Sequence, residues 1–255
     1  MRKVSFSLVM LLLLLVPLSC GGGGGGGGSS ELIPLSTSNL RIYEANDAWN
    51  YTVSGTLTFP GEPALSITGT VERQIMSSLV QSPISFDFCL DMRTNINLSV
   101  QGGGSIVASS NDYFLQDIYG GVYDFGSYST DTGQIWINDP AAGYVLSMES
   151  PIAVGQANSY NATYNDGTAQ EYMYSVVAIE NVSTGLGTFE AYKVTGSMTV
   201  DYISGYSAVV SVTAWVVPEI GVSVKVEESA SYYYLGELQY TLNDTATLSS
   251  TNVAY

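Results

Sequence analysis

The sequence predicts an all-β fold, and three observations carry that prediction. Nineteen tyrosines, together with abundant valine, threonine and serine, favour strands over helices. Apolar and polar residues alternate in several stretches, most cleanly over 221–227, where the valines fall on one face of the chain. Glycine-rich and Asn-Asp-Gly sequences separate these stretches and favour tight turns. We therefore expect antiparallel strands that each bury one face.

Each predicted element follows from one of these patterns. Strands are expected over 49–53, 68–72, 85–90, 189–194, 195–202, 221–227 and 238–242, and turns at 102–104, 131–133 and 165–167. No stretch after residue 30 has the spacing of an amphipathic helix. Residues 73–79 are expected to form one or two helical turns at most.

A weak internal similarity organises these strands. Residues 113–123 and 215–224 share an ordered series of aromatic, acidic, isoleucine, glycine and valine positions, at an offset of about 102 residues. One interpretation is a pair of similar β halves, 40–140 and 145–248. The other is a single undivided meander. Both interpretations place one β domain at 31–255.

The first residues have the pattern of a secretory signal peptide. A basic start precedes an apolar run over 8–16, and the small residue Ser19 follows. The run is too short to span a bilayer and ends at Pro17. Leu18-Ser19-Cys20 resembles a bacterial lipobox, which implies that residues 1–19 are removed and that Cys20 is acylated. Ordinary secretion is the alternative.

Residues 20–30 form the predicted tether. Eight glycines and two serines follow Cys20, so we expect a random coil with a typical reach of roughly 16–19 Å. The lipobox resemblance implies that acyl chains on Cys20 hold the protein to a membrane, and that Gly21 permits sorting to an outer membrane. The expected location is the bacterial cell envelope, facing the periplasm or the surface. With Cys20 acylated, only Cys89 remains, and no internal disulfide can form.

Charge and residue inventory exclude several function classes. Removal of residues 1–19 leaves five basic and twenty-three acidic side chains, a formal charge of −18, and the basic residues are scattered. A nucleic-acid partner is therefore not expected. The chain contains no histidine, which excludes a Ser-His-Asp triad, a Cys-His pair and an imidazole-ligated zinc site. A two-carboxylate glycosidase stays formally open, but neither an enzyme nor a cofactor is predicted.

Several side chains have both a structural and a functional interpretation. Cys89 is expected to be a small buried residue rather than a reactive thiol. Asp112, Asp117 and Asp124 could contact calcium, but their spacing is not that of a calcium loop, so we expect solvated loop acids and no metal site. The same choice applies to the three tryptophans, Trp49, Trp136 and Trp215. We expect them in the core rather than on a ligand platform.

Four sequence blocks resemble those of bacterial envelope lipoproteins that have no settled function. The blocks lie at 113–123, 151–155, 187–194 and 215–225. The third is similar to a Gly-Thr-Phe-x-x-x-Lys-Val pattern, and the fourth departs from its own pattern at Glu219 and Ser223. The resemblance implies a large curved antiparallel sheet, as a half-barrel or a sandwich, similar to the half-barrels of lipoprotein carriers. It carries no catalytic signature.

Two function classes remain open. The preferred one is a non-enzymatic interaction or assembly role, in which exposed strands or loops engage another envelope protein. The alternative is a binding or carrier module for a lipid, a lipoprotein or another hydrophobic ligand inside a cavity of the sheet. A filled core with an exposed aromatic patch would favour the first class, and a wide dry cavity would favour the second.

Overall fold

The computed structural model describes residues 32–81, 88–130, 135–137 and 145–255. Every regular element within these ranges is a β-strand, which confirms the all-β prediction. Over the same residues, no helix has the length and apolar character needed to cross a membrane. The predicted signal peptide, Cys20 and the glycine tether lie outside the described residues.

Fourteen strands form one sheet. They are β1 (Leu32–Ile33), β2 (Ala48–Thr58), β3 (Leu65–Gln81), β4 (Phe88–Val100), β5 (Gly104–Gln116), β6 (Val122–Ser129), β7 (Ile135–Ile137), β8 (Val145–Met148), β9 (Ala157–Thr163), β10 (Ala169–Thr184), β11 (Gly187–Asp201), β12 (Tyr206–Val217), β13 (Val222–Tyr234) and β14 (Glu237–Thr251).

The sheet is an antiparallel meander in which the last strand returns to the first long one. Its order is β7-β6-β5-β4-β3-β2-β14-β13-β12-β11-β10-β9, and β8 pairs with β6. The short β1 pairs in parallel with β11. Because β14 pairs with β2, the first and the last long strands lie side by side in the middle of the sheet rather than at its edges.

The sheet curls until its two edges meet. Asn158 on β9 donates a side-chain hydrogen bond to the Leu146 carbonyl on β8, at 2.9 Å. Next to it, the Glu149 amide donates to the Tyr174 hydroxyl on β10, at 3.2 Å. These side-chain contacts replace the backbone ladder, so the sheet is nearly closed into a barrel with one seam between β8 and β9. The curved sheet implied by the sequence resemblance is therefore confirmed.

Most local predictions agree with this structure. The alternating segment at 221–227 lies in β13, and the segments at 189–194 and 195–202 form one continuous strand, β11. Turns occur at 102–104 and 165–167 as expected, and the turn predicted at 131–133 lies outside the described residues.

The helical expectation for 73–79 is wrong, because these residues belong to β3. Val71, Arg73 and Ile75 are buried on the inner face, whereas Glu72 and Met76 are exposed. A charged residue therefore occupies an inner position, and it hides the period of two that would otherwise identify the strand.

One end of the barrel is filled with apolar side chains, and we call it the apolar end. Here Trp49, Phe114, Phe189 and Ile220 are at most 1 % exposed. The Trp49 indole donates to the Ile220 carbonyl at 3.2 Å, and Tyr43 packs edge-on against both Trp49 and Phe114, with ring centroids 5.3 Å apart in each pair. Tyr43 belongs to the segment that precedes β2, so this segment helps to close the apolar end.

The barrel is also flattened at the apolar end. A Cβ atom added to Gly185, in the β10–β11 turn, would lie 4.0 Å from the Ser249 Cα on β14. In sheet order, three strands separate β10 from β14. Their approach at this end therefore crosses the interior and leaves little space between the walls.

The two predicted halves occupy equivalent places in the meander. The motif at 113–123 spans the β5–β6 hairpin, and the motif at 215–224 spans the β12–β13 hairpin. In each half these are the fourth and fifth strands, counted from β2 and from β9. Both the interpretation as two halves and the interpretation as a single meander accommodate this order, and the duplication stays a prediction.

Candidate functional site

The candidate site lies at the opposite end of the barrel, which we call the polar end. The β2–β3, β4–β5, β9–β10, β11–β12 and β13–β14 turns all lie at this end. Because side chains alternate between the two faces of a strand, every second residue of each strand points into the interior. Towards the polar end these inner positions hold tyrosines and carboxyl groups as well as aliphatic residues such as Ile67, Leu98 and Val210.

Four of these side chains are surrounded by protein on most sides. Asp112, Tyr160, Tyr164 and Tyr202 lie deep in the protein, yet each is only partly covered by the described residues. We infer that they face an opening in the interior of the barrel, and we call that opening the cavity. Strand number agrees, because about eight strands enclose an interior that side chains can just fill, and twelve make up the main path of this sheet.

One wall of the cavity is built from tyrosines of β9 and β10. The Tyr160 and Tyr172 rings lie 5.1 Å apart, and the Tyr172 and Tyr174 rings lie 6.1 Å apart. Gln170 accepts a hydrogen bond from the Tyr164 hydroxyl and donates one to the Tyr160 hydroxyl, at 3.2 Å for the second. This wall offers flat aromatic faces whose hydroxyl groups are fixed in position.

Across the seam from this wall lies a first acidic group, formed by Asp112 on β5 and Asp124 on β6. Asp124 pairs directly with Phe114, so this group borders the apolar end. Asp112 accepts a hydrogen bond from the Thr94 hydroxyl at 3.4 Å, but its Oδ1 is buried without a hydrogen-bond partner. Burial raises the pKa of Asp112 to about 7, and the neighbouring Asp124 adds to the increase, whereas the Arg73 guanidinium opposes it. Asp124 is also close enough to Tyr160 and Tyr164 to interact with them electrostatically.

The prediction that three aspartates are solvated loop acids is therefore wrong for two of them. Asp112 and Asp124 lie in strands beside the cavity, because each occupies an inner position that the sequence pattern did not assign to a strand. Asp117 does lie in the β5–β6 turn, where its carboxylate accepts the amides of Tyr119 and Gly121, at 2.8 and 2.9 Å. It caps that turn and does not join the other two.

A second acidic group, Glu228 on β13 and Asp244 on β14, is more deeply buried. The two residues lie directly opposite each other in the strand register and are 5 % and 8 % exposed. Burial raises the pKa of Glu228 well above its usual range, and the adjacent Asp244 raises it further. Burial also raises the pKa of Asp244 to about 7. No basic side chain among the described residues pairs with either carboxyl group.

Tyrosines join this carboxyl pair to the cavity. Tyr232 and Tyr240 stack with ring centroids 4.5 Å apart, and Tyr232 interacts electrostatically with Glu228, Asp244 and Tyr202. Tyr202 interacts in turn with Tyr164. The polar end therefore holds one connected set of phenols and carboxyl groups, which could bind a ligand by hydrogen bonds, stacking and charge.

Sequence reasoning missed Glu228 and Asp244, although a signal for both was present. Glu228 shares the parity of the buried Val222, Val224 and Val226, and Asp244 shares the parity of Leu242 and Ala246 on the next strand. An acid on the apolar side of an alternating strand is a buried acid, provided that the strand continues that far.

The two cysteines had different predicted roles, and the structure describes only one of them. Cys20, the predicted lipid attachment residue, lies outside the described residues. Cys89 is fully buried, which confirms the prediction, and burial followed by the nearby Asp91 carboxylate raises the pKa of its thiol to about 11. Among the described residues, no group of three or more Cys, Asp or Glu side chains is arranged to hold a metal ion.

The tryptophans do not share one environment. Trp49 is fully buried in the core, as predicted. Trp215 is also buried, but it lies on the outer face, where the Lys193 and Lys225 ammonium groups lie 5.6 and 4.7 Å from its ring centroid. It is covered by lysine side chains rather than by the interior. Trp136 lies in β7, and its side chain is outside the described part of the structure.

Comparison with known proteins gives no family. No family model matches the chain, and neither does a curated protein. Among solved structures, the chain is similar to a protein of Bacteroides fragilis described as exported and as having a YmcC-like fold, with a TM-score of 0.34 and 13% identity over 83% of this chain and 99% of that one. A protein of Thermobifida fusca described as a thioesterase II gives a TM-score of 0.13 and 9% identity, over 82% and 80% of the two chains. At these scores, neither likeness bears on function.

Proposed function

We propose that this protein is a lipid-anchored cell-envelope protein that binds a ligand in the cavity at its polar end. The observation that carries the proposal is the set of deep polar side chains that retain accessible surface: Asp112, Tyr160, Tyr164 and Tyr202. Polar groups are costly to bury without partners, so a protein that lines a cavity with them loses stability unless a ligand or water satisfies them.

The lining favours a polar or amphiphilic ligand over a purely apolar one. A lipid carrier would line its cavity with aliphatic side chains, whereas the deep, partly covered side chains here are three phenols and one carboxyl group. The proposal therefore takes up the binding module that the sequence left as an alternative, with a different ligand class. The proposal is one of binding, and it assigns no catalytic residue.

The membrane anchor belongs to the same proposal and has a direct test. Acyl chains on Cys20 would hold the barrel near a membrane, and the residue 21–30 tether would leave its orientation free. Intact-mass measurement and membrane fractionation of Cys20→Ala, in the native host, should show an unmodified protein that leaves the membrane fraction. Retention of the variant in the membrane at the wild-type mass would remove the anchor from the proposal.

Ligand binding is tested on the full chain purified from its host in a maltoside detergent. Native mass spectrometry should show a bound species in stoichiometric amount, which denaturation releases. Ile106→Trp, at a half-buried inner position of β5, should reduce its occupancy by about tenfold or more because the indole fills the cavity. Val107→Trp is the matched control, because Val107 is 58% exposed on the outer face. An unliganded wild-type protein, or equal occupancy in both variants, would contradict the proposal.

A second candidate is the interaction role that the sequence analysis preferred. Exposed apolar side chains occur around the apolar end, on the loops that carry Ile42, Ile118, Tyr119 and Val154, with exposures of 50 to 84%. These loops contact one another, since the Ser150 hydroxyl bonds to the Tyr119 carbonyl and accepts the Leu40 amide. Crosslinking of Ile118→Cys in the envelope, with exposed Thr70→Cys as the control, tests for a protein partner there.

A further inference from the structure

The strongest unexplained feature of the interior is the carboxyl pair of Glu228 and Asp244. Both side chains are more than nine-tenths buried, and they lie directly opposite each other on neighbouring strands. The charges nearest to them are of the same sign, and no cation compensates either group among the described residues. Two adjacent carboxyl groups in a low-dielectric interior repel each other when both are ionised.

The groups around this pair also lack partners. Glu228 Oε1 and the hydroxyl groups of Tyr232 and Tyr240 are buried without a hydrogen bond. Tyr232 is fully buried and Tyr240 is 8% exposed, so water at the surface does not satisfy them. A buried polar atom without a partner costs on the order of 1–3 kcal/mol. Tyr232 interacts electrostatically with both carboxyl groups, and Tyr240 stacks on Tyr232. An uncompensated carboxyl pair with an unpartnered phenol beside it indicates a binding site.

Gly55 keeps side chains away from one flank of the pair. It lies opposite Asp244 on β2, and a Cβ atom there would be 2.6 Å from the Asp244 Cβ. On the other flank, Tyr202 interacts with Tyr232 and Tyr240 and retains accessible surface on the cavity. We infer that Tyr202 and Tyr232 connect the carboxyl pair to the cavity.

We propose that Glu228, Asp244, Tyr232 and Tyr240 form a subsite for the ammonium group of an organic amine. The inference rests on the proposed function, since the rest of the amine would occupy the cavity at the polar end. An ammonium group donates up to three hydrogen bonds, which matches carboxylate and phenol acceptors, and its charge compensates the carboxyl pair. Stacked tyrosine rings beside it favour an organic cation.

A metal ion fits this subsite less well. Calcium takes six to eight oxygen ligands, and two carboxyl groups with two phenols reach six only if both carboxylates bind in the bidentate mode. The described residues also provide no group of three Cys, Asp or Glu side chains in metal-binding arrangement. A neutral ligand would satisfy the hydroxyl groups but would leave the carboxyl pair protonated, so its affinity would not rise with pH.

Amine binding at this subsite depends on pH in a defined direction. Burial raises the pKa of Asp244 to about 7 and that of Glu228 well above its usual range, so the empty site retains protons near neutrality. The facing groups, Tyr202, Tyr232 and Tyr240, also have raised pKa values and stay neutral in this range. A cation must displace the carboxyl protons, so its affinity should rise from pH 6 to pH 8 and binding should release protons.

The test is isothermal titration of the full chain in maltoside detergent with 1,5-diaminopentane, and with 1,5-pentanediol as its neutral counterpart. At pH 8 the diamine should bind and the diol should not, and binding should weaken about tenfold or more at pH 6. Repetition in buffers of different ionisation enthalpy should reveal released protons. Calcium chloride is the third titrant, and binding of calcium in place of the diamine would overturn the inference.

Matched variants separate the subsite from the rest of the protein. Glu228→Gln should weaken diamine binding at least about tenfold, whereas Glu227→Gln, on the exposed outer face of the same strand, should leave it unchanged. If Glu228→Gln does not fold, Tyr232→Phe removes one acceptor beside the carboxyl pair and should weaken binding severalfold. Equal binding by the Glu228→Gln variant overturns the inference. A native ligand without an amine overturns the inference and leaves the proposed function intact, and an empty cavity contradicts both.

Discussion

The interior of this barrel is wide, and its two ends hold different kinds of side chain. At the apolar end, aromatic side chains, the segment before β2 and flattened walls fill the space, and Trp49 and Phe189 lose all contact with water. At the polar end, tyrosines and carboxyl groups line a space that remains. The contrast predicts that the apolar end supplies most of the stability, whereas the polar end, where we propose the binding site, is maintained at a cost in stability.

The largest expected loss of stability comes from a substitution at the apolar end. Trp49→Ala should lower the free energy of unfolding by about 3–5 kcal/mol, because it removes a fully buried indole and leaves a cavity. Trp215→Ala, on the outer face beneath two lysines, should cost about 1–2 kcal/mol. Urea unfolding followed by circular dichroism measures both changes. Equal losses would show that the apolar end is not the main source of stability.

A glycine pair compares the packing of the two ends directly. Gly120 has φ of 88°, and a Cβ atom there would lie 2.1 Å from the Leu40 carbonyl oxygen, so Gly120→Ala should cost about 3 kcal/mol. Gly102, in the β4–β5 turn of the polar end, has φ of 98° and no atom within 4 Å of such a Cβ. Gly102→Ala should cost about 1 kcal/mol, from backbone strain alone. Thermal unfolding of the two variants provides the comparison, and a reversed order would contradict it.

The pH dependence of stability sharpens the comparison at the polar end. The pKa values of Asp112, Asp244 and Glu228 are raised in the folded protein, so these groups bind protons more tightly than in the unfolded chain. Their contribution to stability is complete below pH 4 and is lost as the pH rises through about 7. The free energy of unfolding should therefore fall between pH 5 and pH 8.

Asp244→Asn tests whether this residue causes the fall in the free energy of unfolding between pH 5 and pH 8. The variant should flatten the profile and should raise the free energy of unfolding at pH 8 by roughly 2 kcal/mol, because it removes a buried charge. Glu237→Gln, at an exposed position of the same strand, should change neither. Urea midpoints at four pH values test this, and a profile that rises towards pH 8 would contradict the assignment.

The smallest expected effect distinguishes two tyrosines of the polar end. Tyr232→Phe should leave stability unchanged or raise it by up to about 1 kcal/mol, because its hydroxyl is buried without a partner. Tyr164→Phe should lower stability by about 1 kcal/mol, because its hydroxyl donates to Gln170. Guanidinium unfolding resolves the difference, and a loss in Tyr232→Phe would show that its hydroxyl is satisfied in solution.

Much of the apolar end was accessible from the sequence, and little of the polar end was. The valine alternation of β13 and the core position of Trp49 were predicted, because apolar residues with a period of two report burial directly. Asp112, Asp124 and Glu228 were not, because a charged residue in a strand pattern is ordinarily assigned to the solvent side. Arg73 had the same effect: because a charged residue occupies an inner position of β3, residues 73–79 were predicted to form a short helix.

The sequence by itself determined what depends on a few neighbouring residues: the all-β class, segments of six of the fourteen described strands (β2, β3, β4, β11, β13 and β14), and the turns at 102–104 and 165–167. Alternation and turn chemistry act over that range, so no distant partner is needed. Only the tertiary structure decided the closure at the β8–β9 seam, the pairing of β14 with β2, and the meeting of Glu228 and Asp244 with the tyrosine-lined cavity. These features depend on contacts between segments far apart in the chain, and a local pattern does not encode which strands will face each other across the interior.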